Sequence, residues 1–279
     1  MSRFTLQISP LLILVAAGCG SVENASSEAQ RMDAADKPSV RAATEAIRVA
    51  AASDLKFAME ELLAEFRRLQ PEIQVEVTFG SSGNFYTQLS NKAPFDLFFS
   101  ADIEYPRKLV ALGLAEKQTE FVYAVGHIVV WVPNASKLDL NRGIDVLTDP
   151  AIQKIAIANP RHAPYGRAAE AALKKLGVYE HVESRLVLGE NIAQTAQFVE
   201  TGAADIGVIA LSLAMAPVMR EKGRFWLIPQ DSHPPLVQGG VILKSTQSPS
   251  ATSRLREFIS SDVGRTVLKK YGFAAPDES

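Results

Sequence analysis

The stretch Val49-Ala50-Ala51-Ala52-Ser53-Asp54-Leu55 sets a pattern that recurs along the chain. Residues 47–52 are apolar or small apart from one arginine, which predicts a buried strand. From Leu55 the apolar residues recur at helical spacing until Pro71. We therefore expect Ser53 to be the N-cap of this helix, with its hydroxyl close to several unpaired backbone N–H groups. A helix start of this kind binds anions without help from a charged side chain.

Length and composition limit the possible function classes. A chain of 279 residues can build one large or two medium α/β domains with a sizeable core. Hydrophobic residues make up 47%, charged residues 22%, and the net charge is −2, so no basic excess points to nucleic acid. No stretch approaches the roughly 18 consecutive apolar residues expected of a permanent membrane span.

The N-terminus has the pattern of a secretory signal peptide, predicted over residues 1–18. The small residues 16–18 stand directly before Cys19 and resemble a bacterial lipobox, which predicts that Cys19 is lipidated after cleavage. The alternative is ordinary signal cleavage that leaves a free thiol. Residues 19–46 are polar and small and predict a flexible tether, with room for a short helix in residues 41–46. We expect the folded part to work in the periplasm or cell envelope.

Strand–loop–helix units repeat through the rest of the chain and predict parallel sheets with helices on both faces. A long apolar run, residues 121–132, predicts a strand that crosses between two lobes, and residues 237–243 are the candidate for the return. The other predicted strands cover residues 47–52, 73–79, 96–100, 154–158, 186–188, 206–210 and 225–229.

Ligands of open parallel sheets bind outside the carboxyl ends of the strands. Here these ends offer hydroxyls, glycines and helix-start amides, with very few charges. Such a set of donors suits a fully ionised oxyanion, which only accepts hydrogen bonds. A partly protonated phosphate ranks lower, because it would need a hydrogen-bond acceptor in the site. It stays possible, since Asp54 or Glu190 could supply that acceptor. The loops concerned contain Ser53, Ser81 with Ser82, residues 163–166, Asn191 with Ile192, and residues 210–212.

Motifs of enzymes and metal sites are absent from the sequence. We find no HExxH, CxxC or EF-hand pattern, and no GxSxG elbow, P-loop or GxGxxG. The four histidines are scattered, and we interpret Arg161 and His162 as rim groups rather than ligands. The chain is therefore not expected to be an enzyme, to bind a free metal ion or to carry a cofactor.

Several motifs together resemble the molybdate-binding proteins of bacterial ABC importers (ModA type), over roughly residues 47–273. The resemblance implies a type II periplasmic-binding-protein fold, with two α/β lobes joined by crossover strands and a ligand cleft between them. We place lobe 1 at residues 47–126 plus 238–279 and lobe 2 at residues 127–237. The motifs are AAASDL (50–55), FGSSG (79–83), DLFFSAD (96–102), NPRHAPYG (159–166), GEN (189–191), IGVIALS (206–212) and YGF (271–273).

The resemblance also implies the ligand-binding residues. It implies that Ser53 contributes its hydroxyl and its amide, and that the second ligand-binding serine is Ser82, with Ser81 the less favoured choice. It also implies backbone amides from Tyr165 and Ile192. Some family members have a ligand-contacting tyrosine where this chain has Ala210, so the fifth donor is open. The Tyr165 phenol or the Ser212 hydroxyl could replace it, or the site could function with fewer side-chain donors.

The implied function is capture of molybdate or tungstate by a monomer and its delivery to a membrane permease driven by a separate ATPase. The resemblance implies that sulfate is excluded by the size of the cavity. Three alternatives stay open from the sequence. They are a receptor of the same fold for another anion or for iron, a sensory receptor that feeds no importer, and a secreted hydrolase.

Overall fold

The computed structural model describes residues 45–276. They fold around two five-stranded sheets that are flanked by helices, which confirms the predicted pair of α/β lobes. The predicted signal peptide (1–18), the lipidation candidate Cys19 and the tether up to residue 44 lie outside the described residues. Within residues 45–276, no helix combines the length and apolar composition that crossing a membrane requires.

Ten strands and ten α-helices are numbered in chain order within this part. The strands are β1 (Glu45–Ala52), β2 (Ile73–Gly80), β3 (Leu97–Ser100), β4 (Phe121–Gly126), β5 (Ile128–Pro133), β6 (Ile155–Ala158), β7 (Leu186–Gly189), β8 (Ile206–Ala210), β9 (Gly223–Leu227) and β10 (Leu236–Ile242). The helices are α1 (Lys56–Leu69), α2 (Ser82–Ser90), α3 (Glu104–Ala111), α4 (Pro164–Lys175), α5 (Tyr179–Val182), α6 (Ile192–Glu200), α7 (Leu211–Ala214), α8 (Pro217–Lys222), α9 (Pro249–Ser260) and α10 (Asp262–Lys270).

Both sheets are mixed rather than wholly parallel. In the first the strand order is β2-β1-β3-β10-β4, and in the second it is β7-β6-β8-β5-β9. Strand β1 is parallel to β2 and β3, and β6 is parallel to β7 and β8. The antiparallel members are β10 in the first sheet and β5 in the second. The parallel part of each sheet carries the strand–loop–helix units that the sequence predicts.

The chain crosses between the sheets twice. The apolar run 121–132 forms two strands instead of the single one predicted, since β4 ends at Gly126 in the first sheet and β5 begins at Ile128 in the second. His127 alone joins them. Residues 228–235 make the return, so the predicted return strand 237–243 is β10 and belongs to the first sheet. The predicted lobe boundaries thus fall at the end of β4 and inside β10.

Two local predictions at the start of the domain are wrong. Ser53 does not cap α1, because it is the first residue of a 3-10 turn, Ser53–Leu55, and α1 begins only at Lys56. Its hydroxyl is thereby free for contacts across the cleft. Strand β1 starts at Glu45, so residues 45 and 46 belong to the sheet and not to the tether. The extra residues pair with Ile73 and Gln74 of β2.

Each sheet has its own hydrophobic core, which fixes the strand ends that meet at the cleft. Helix α1 packs on the first sheet through Met59, Leu62 and Phe66, which recur every three or four residues and are almost fully buried. In the second sheet Trp131 is fully buried within a separate cluster. Burial of each such side chain contributes roughly 1.5–3 kcal/mol to folding.

Candidate functional site

A small cavity lies where the carboxyl ends of strands from both sheets meet. Its empty volume is about 180 Å³. This figure includes space open to solvent, and the centre of a water molecule can occupy only about 10 Å³ of the cavity, so it suits a ligand of only a few atoms. The residues that line it are Ala52, Ser53, Asp54, Gly80, Ser81, Ser82, Ala101, Ala163, Pro164, Tyr165 and Ile192.

The structure brings together the four residues expected to bind the ligand. Ser53 and Ser82 come from the first lobe, and Tyr165 and Ile192 come from the second. All four are at least 97% buried. Ser81 also lines the cavity, whereas Ser212 is not among its lining residues.

Unpaired backbone amides are the main chemical feature of the cavity. Ser53 opens a 3-10 turn, Ser82 and Ile192 are the first residues of α2 and α6, and Tyr165 is the second residue of α4. The first N–H groups of a helix have no carbonyl partner within it. Across residues 45–276, none of these four amides donates a hydrogen bond to another protein group. They add the positive ends of helix dipoles to the donors of the cavity.

The Ser82 hydroxyl is positioned to donate into the cavity. Its Oγ accepts a hydrogen bond from the backbone N–H of Ala101 at 3.0 Å, and within the described residues its own hydrogen has no acceptor. The Ser81 hydroxyl is engaged elsewhere, because it caps α2 by accepting from the Asn84 amide at 3.4 Å and bonds to His162 Nδ1 at 3.0 Å. This difference favours Ser82 over Ser81 as a donor to a ligand.

The Ser53 hydroxyl joins the two lobes directly. It donates to Asn191 Oδ1 at 3.1 Å and accepts from the backbone N–H of Ala193 at 3.3 Å. Asn191 is also the N-cap of α6, where its Oδ1 accepts from the Gln194 amide at 3.0 Å. A ligand oxygen in the cavity would compete with Asn191 for the Ser53 hydrogen.

The position of the missing fifth donor is Ala210, and the two hydroxyls that could replace it are engaged in other contacts. Ala210 is fully buried at the end of β8, opposite Ile128. The Ser212 hydroxyl donates to the backbone carbonyl of Asp54 at 2.8 Å. The Tyr165 phenol donates to Asp54 Oδ2 at 2.9 Å. Neither hydroxyl hydrogen is therefore available to a ligand in this arrangement.

The site contains an ionisable carboxyl group, that of Asp54, which corrects the expectation of an uncharged site. Asp54 lines the cavity and is 1% exposed. Its Oδ2 accepts from Tyr165 Oη and from Gln238 Nε2, at 2.9 and 2.5 Å, and Gln238 Oε1 accepts from Tyr123 Oη at 2.8 Å. Burial raises the pKa of Asp54 from its ordinary 3.8 to about 6, although the hydrogen bonds from Gln238 and Tyr165 act in the opposite direction.

Contacts at the rim hold the two lobes together. The Gly83 amide donates to the carbonyl of His162 at 2.9 Å, and Asn84 Nδ2 donates to Glu190 Oε1 at 2.6 Å. Arg167 forms an ion pair with Asp102 at 2.6 Å. His162 thus contacts Ser81 and Gly83 and is not among the lining residues, as expected of a rim group.

Sequence reasoning missed the buried network around Asp54. Gln238 was a usable sign, because an amide side chain within the apolar strand β10 needs a buried partner. Tyr123 in β4 is buried in the same way. In residues 45–276, no group of three or more His, Cys, Asp or Glu side chains is placed to hold a metal ion.

Known proteins with similar sequences share this architecture. The chain is 39% identical over 199 residues to the molybdate-binding protein ModA of Rhodobacter capsulatus, covering 71% of this chain and 77% of that one. It is 36% identical over 227 residues to ModA of Azotobacter vinelandii, covering 81% and 89%. The solved periplasmic molybdate-binding protein of Azotobacter vinelandii superposes with a TM-score of 0.76 at 32% identity, over 82% of this chain and 99% of that chain.

The family assignment follows from the extent of these matches. The model of the bacterial extracellular solute-binding protein family matches residues 47–274, which includes both sheets apart from the first two residues of β1, and every residue that lines the cavity. The chain belongs to the bacterial extracellular solute-binding protein family.

Proposed function

We propose that this protein captures molybdate, and tungstate of nearly the same size, in the cavity between its lobes. The observation that carries the proposal is the set of four helix-start amides, unpaired within residues 45–276, around this small cavity, together with the Ser82 hydroxyl. Two relatives more than 35% identical to the chain are molybdate-binding proteins, which supports this choice of anion.

A tetrahedral dianion matches these donors chemically. Its oxygens only accept hydrogen bonds, and oriented amides can replace its hydration shell without a cationic side chain. Sulfate has the same charge but is smaller, so it would leave some donors too far away to be satisfied. We expect Ser53 and Ser82 to contribute hydroxyls and amides, and Tyr165 and Ile192 to contribute amides.

The proposed transport role follows from the two-lobed fold. The ion would bind between open lobes, which then close through contacts such as Gly83 with His162. The closed monomer would deliver the ion to a membrane permease powered by a separate ATPase. A lipid on Cys19 would keep the protein at the membrane surface, and no chemical conversion of the ion is required.

Isothermal titration with molybdate, tungstate, sulfate and phosphate tests this proposal. We expect molybdate and tungstate to bind one ion per chain and at least about a hundredfold more tightly than sulfate. Binding of sulfate or phosphate without either larger anion would overturn the proposal.

Phosphate is the second candidate, because the carboxylate of Asp54 could accept a hydrogen bond from a protonated phosphate oxygen. The same titrations distinguish the two. If phosphate bound more tightly than molybdate at pH 7, the function would be phosphate capture.

A further inference from the structure

The carboxyl group of Asp54 has one oxygen with partners and one without. Oδ2 accepts two hydrogen bonds, from Tyr165 and Gln238. Oδ1 is buried and has no hydrogen-bond partner of normal geometry in residues 45–276, although the backbone N–H groups of Asp54 and Leu55 act on this carboxyl and lower its pKa. A buried, unpartnered carboxylate oxygen is costly, since it has lost its hydration without replacement. The same residue lines the cavity in which we propose that the anion binds.

The pattern of donors decides which oxygen would carry a proton. Both groups that contact Oδ2 point a hydrogen at it, so Oδ2 acts as an acceptor in the neutral acid as well. The proton of a protonated Asp54 therefore belongs on Oδ1. This O–H would have no acceptor among the described residues, and an anion in the cavity would supply one.

The surroundings of Asp54 favour the neutral acid when an anion is bound. The titratable groups that face it are Tyr165 from α4 and Tyr123 from β4, and burial raises the pKa of each phenol well above 10. The other side chains nearby are uncharged. Ser212 of α7 and Gln238 of β10 contact Asp54, and Asn191, the N-cap of α6, contacts the neighbouring Ser53. In residues 45–276, no cationic side chain forms an ion pair with Asp54. A dianion beside it would disfavour its ionised form further.

We propose that Asp54 is a ligand-binding residue that acts as a neutral acid, donating Oδ1–H to the bound oxyanion. Asp54 would thereby supply a fifth donor in place of the tyrosine that some family members have where this chain has Ala210. This inference rests on the proposed function, since it needs an anion in this cavity. Capture of the dianion would then be accompanied by uptake of one proton from solvent onto Asp54. Asp54 touches an oxygen of the ion and never the metal atom.

The proposal predicts a proton linkage with a defined pH range. Burial between the closed lobes raises the pKa of Asp54 to about 6, and opening of the lobes would bring it back toward its ordinary 3.8, so above pH 6 the carboxyl is mostly ionised before binding and must gain a proton. Uptake should be at least about half a proton per ion at pH 6 and about one at pH 8. The Kd for molybdate should weaken by about tenfold for each pH unit between pH 7 and 9.

Titration calorimetry measures this uptake directly. Molybdate is titrated into the wild-type protein at pH 6, 7 and 8, each in two buffers with different ionisation enthalpies, such as Tris and HEPES. The difference in observed heat gives the number of protons taken up. The variant Asp54→Asn mimics the neutral acid, with one acceptor oxygen and one donating NH2 group, and should bind molybdate with no proton uptake and a constant Kd from pH 7 to 9. Asp96→Asn, at a buried carboxyl outside the cavity, should retain the wild-type uptake.

The outcomes separate this inference from the proposed function. Absence of molybdate binding by the wild-type protein at pH 6 would overturn both. Tight binding with the same heat in both buffers at pH 8 would overturn the role of Asp54 alone, and so would wild-type proton uptake by Asp54→Asn. If Asp54→Asn failed to fold, the wild-type buffer series would still decide the question.

Discussion

Removal of the Ser82 hydroxyl is the sharpest perturbation of the proposed anion site. Ser82 is fully buried, and its Oγ is held in place by the Ala101 amide at 3.0 Å. Substitution Ser82→Ala removes one donor from the cavity and leaves the backbone of α2 in position. It also leaves the Ala101 N–H, which the hydroxyl oxygen now satisfies, without an acceptor.

These two losses have different magnitudes and different observables. A hydrogen bond to a charged group contributes about 1.5–3 kcal/mol, so the Kd for molybdate should rise by roughly 10- to 150-fold. An unsatisfied buried N–H costs about 1–3 kcal/mol of folding stability. For a domain of this size, each 1 kcal/mol lowers Tm by about 2–4 °C. The Ser82→Ala protein should therefore melt several degrees lower and still be folded at 25 °C.

Titration calorimetry at 25 °C, with circular dichroism to check folding, measures both effects. Two serine variants serve as controls. Ser81→Ala loses the contact with His162 at the rim and should change the Kd by less than about fivefold. Ser90→Ala removes a buried hydroxyl that has no hydrogen-bond partner in the part of the chain that the structure describes and lies away from the cavity, and it should leave the Kd unchanged. A Ser82→Ala protein that binds within twofold of wild type, while Ser81→Ala loses more, would refute the assignment of the donor to Ser82.

Two further predictions concern closure and pH. Substitution Gly83→Ala places a Cβ 2.5 Å from the His162 carbonyl oxygen, so the lobes cannot close fully. Calorimetry should show molybdate binding at least about tenfold weaker, while Tm stays within a few degrees of the wild-type value. A Kd within twofold of wild type would contradict this. The raised pKa of Asp54, from 3.8 to about 6, makes the folded state bind a proton more tightly than the unfolded state. The free energy of unfolding should therefore fall by about 3 kcal/mol as pH rises from about 4 to above 6, and this pH-dependent contribution should be absent from Asp54→Asn. Urea unfolding of both proteins at pH 4 and pH 8 measures the contribution. An equal pH dependence in the two proteins would count against it.

Much of the site could be predicted because its donors depend on local structure. A strand that runs into a serine or glycine and then a helix leaves free amides at the helix start, and the sequence shows this pattern at Ser82 and Ile192. The motifs shared with a known family added the Tyr165 amide and the choice of Ser82. Those predictions required no knowledge of long-range contacts.

The features that were missed depend on contacts between distant residues. Asp54 bonds to Tyr165, 111 positions away, and to Gln238, 184 positions away, so its role cannot be read from its neighbours in sequence. The division of the run 121–132 at His127 has the same origin. Both halves are apolar, and only their pairing with different strands, β10 and β8, separates them. The 3-10 turn at Ser53 has no distinct sequence pattern either.

The most direct test of the central claim is a crystal structure grown with molybdate, with anomalous diffraction recorded at the molybdenum absorption edge. We expect a single strong anomalous peak in the cavity, with ion oxygens at hydrogen-bonding distance from the amides of Ser53, Ser82, Tyr165 and Ile192. A peak at another position, or an empty cavity in crystals saturated with molybdate, would contradict the proposed site.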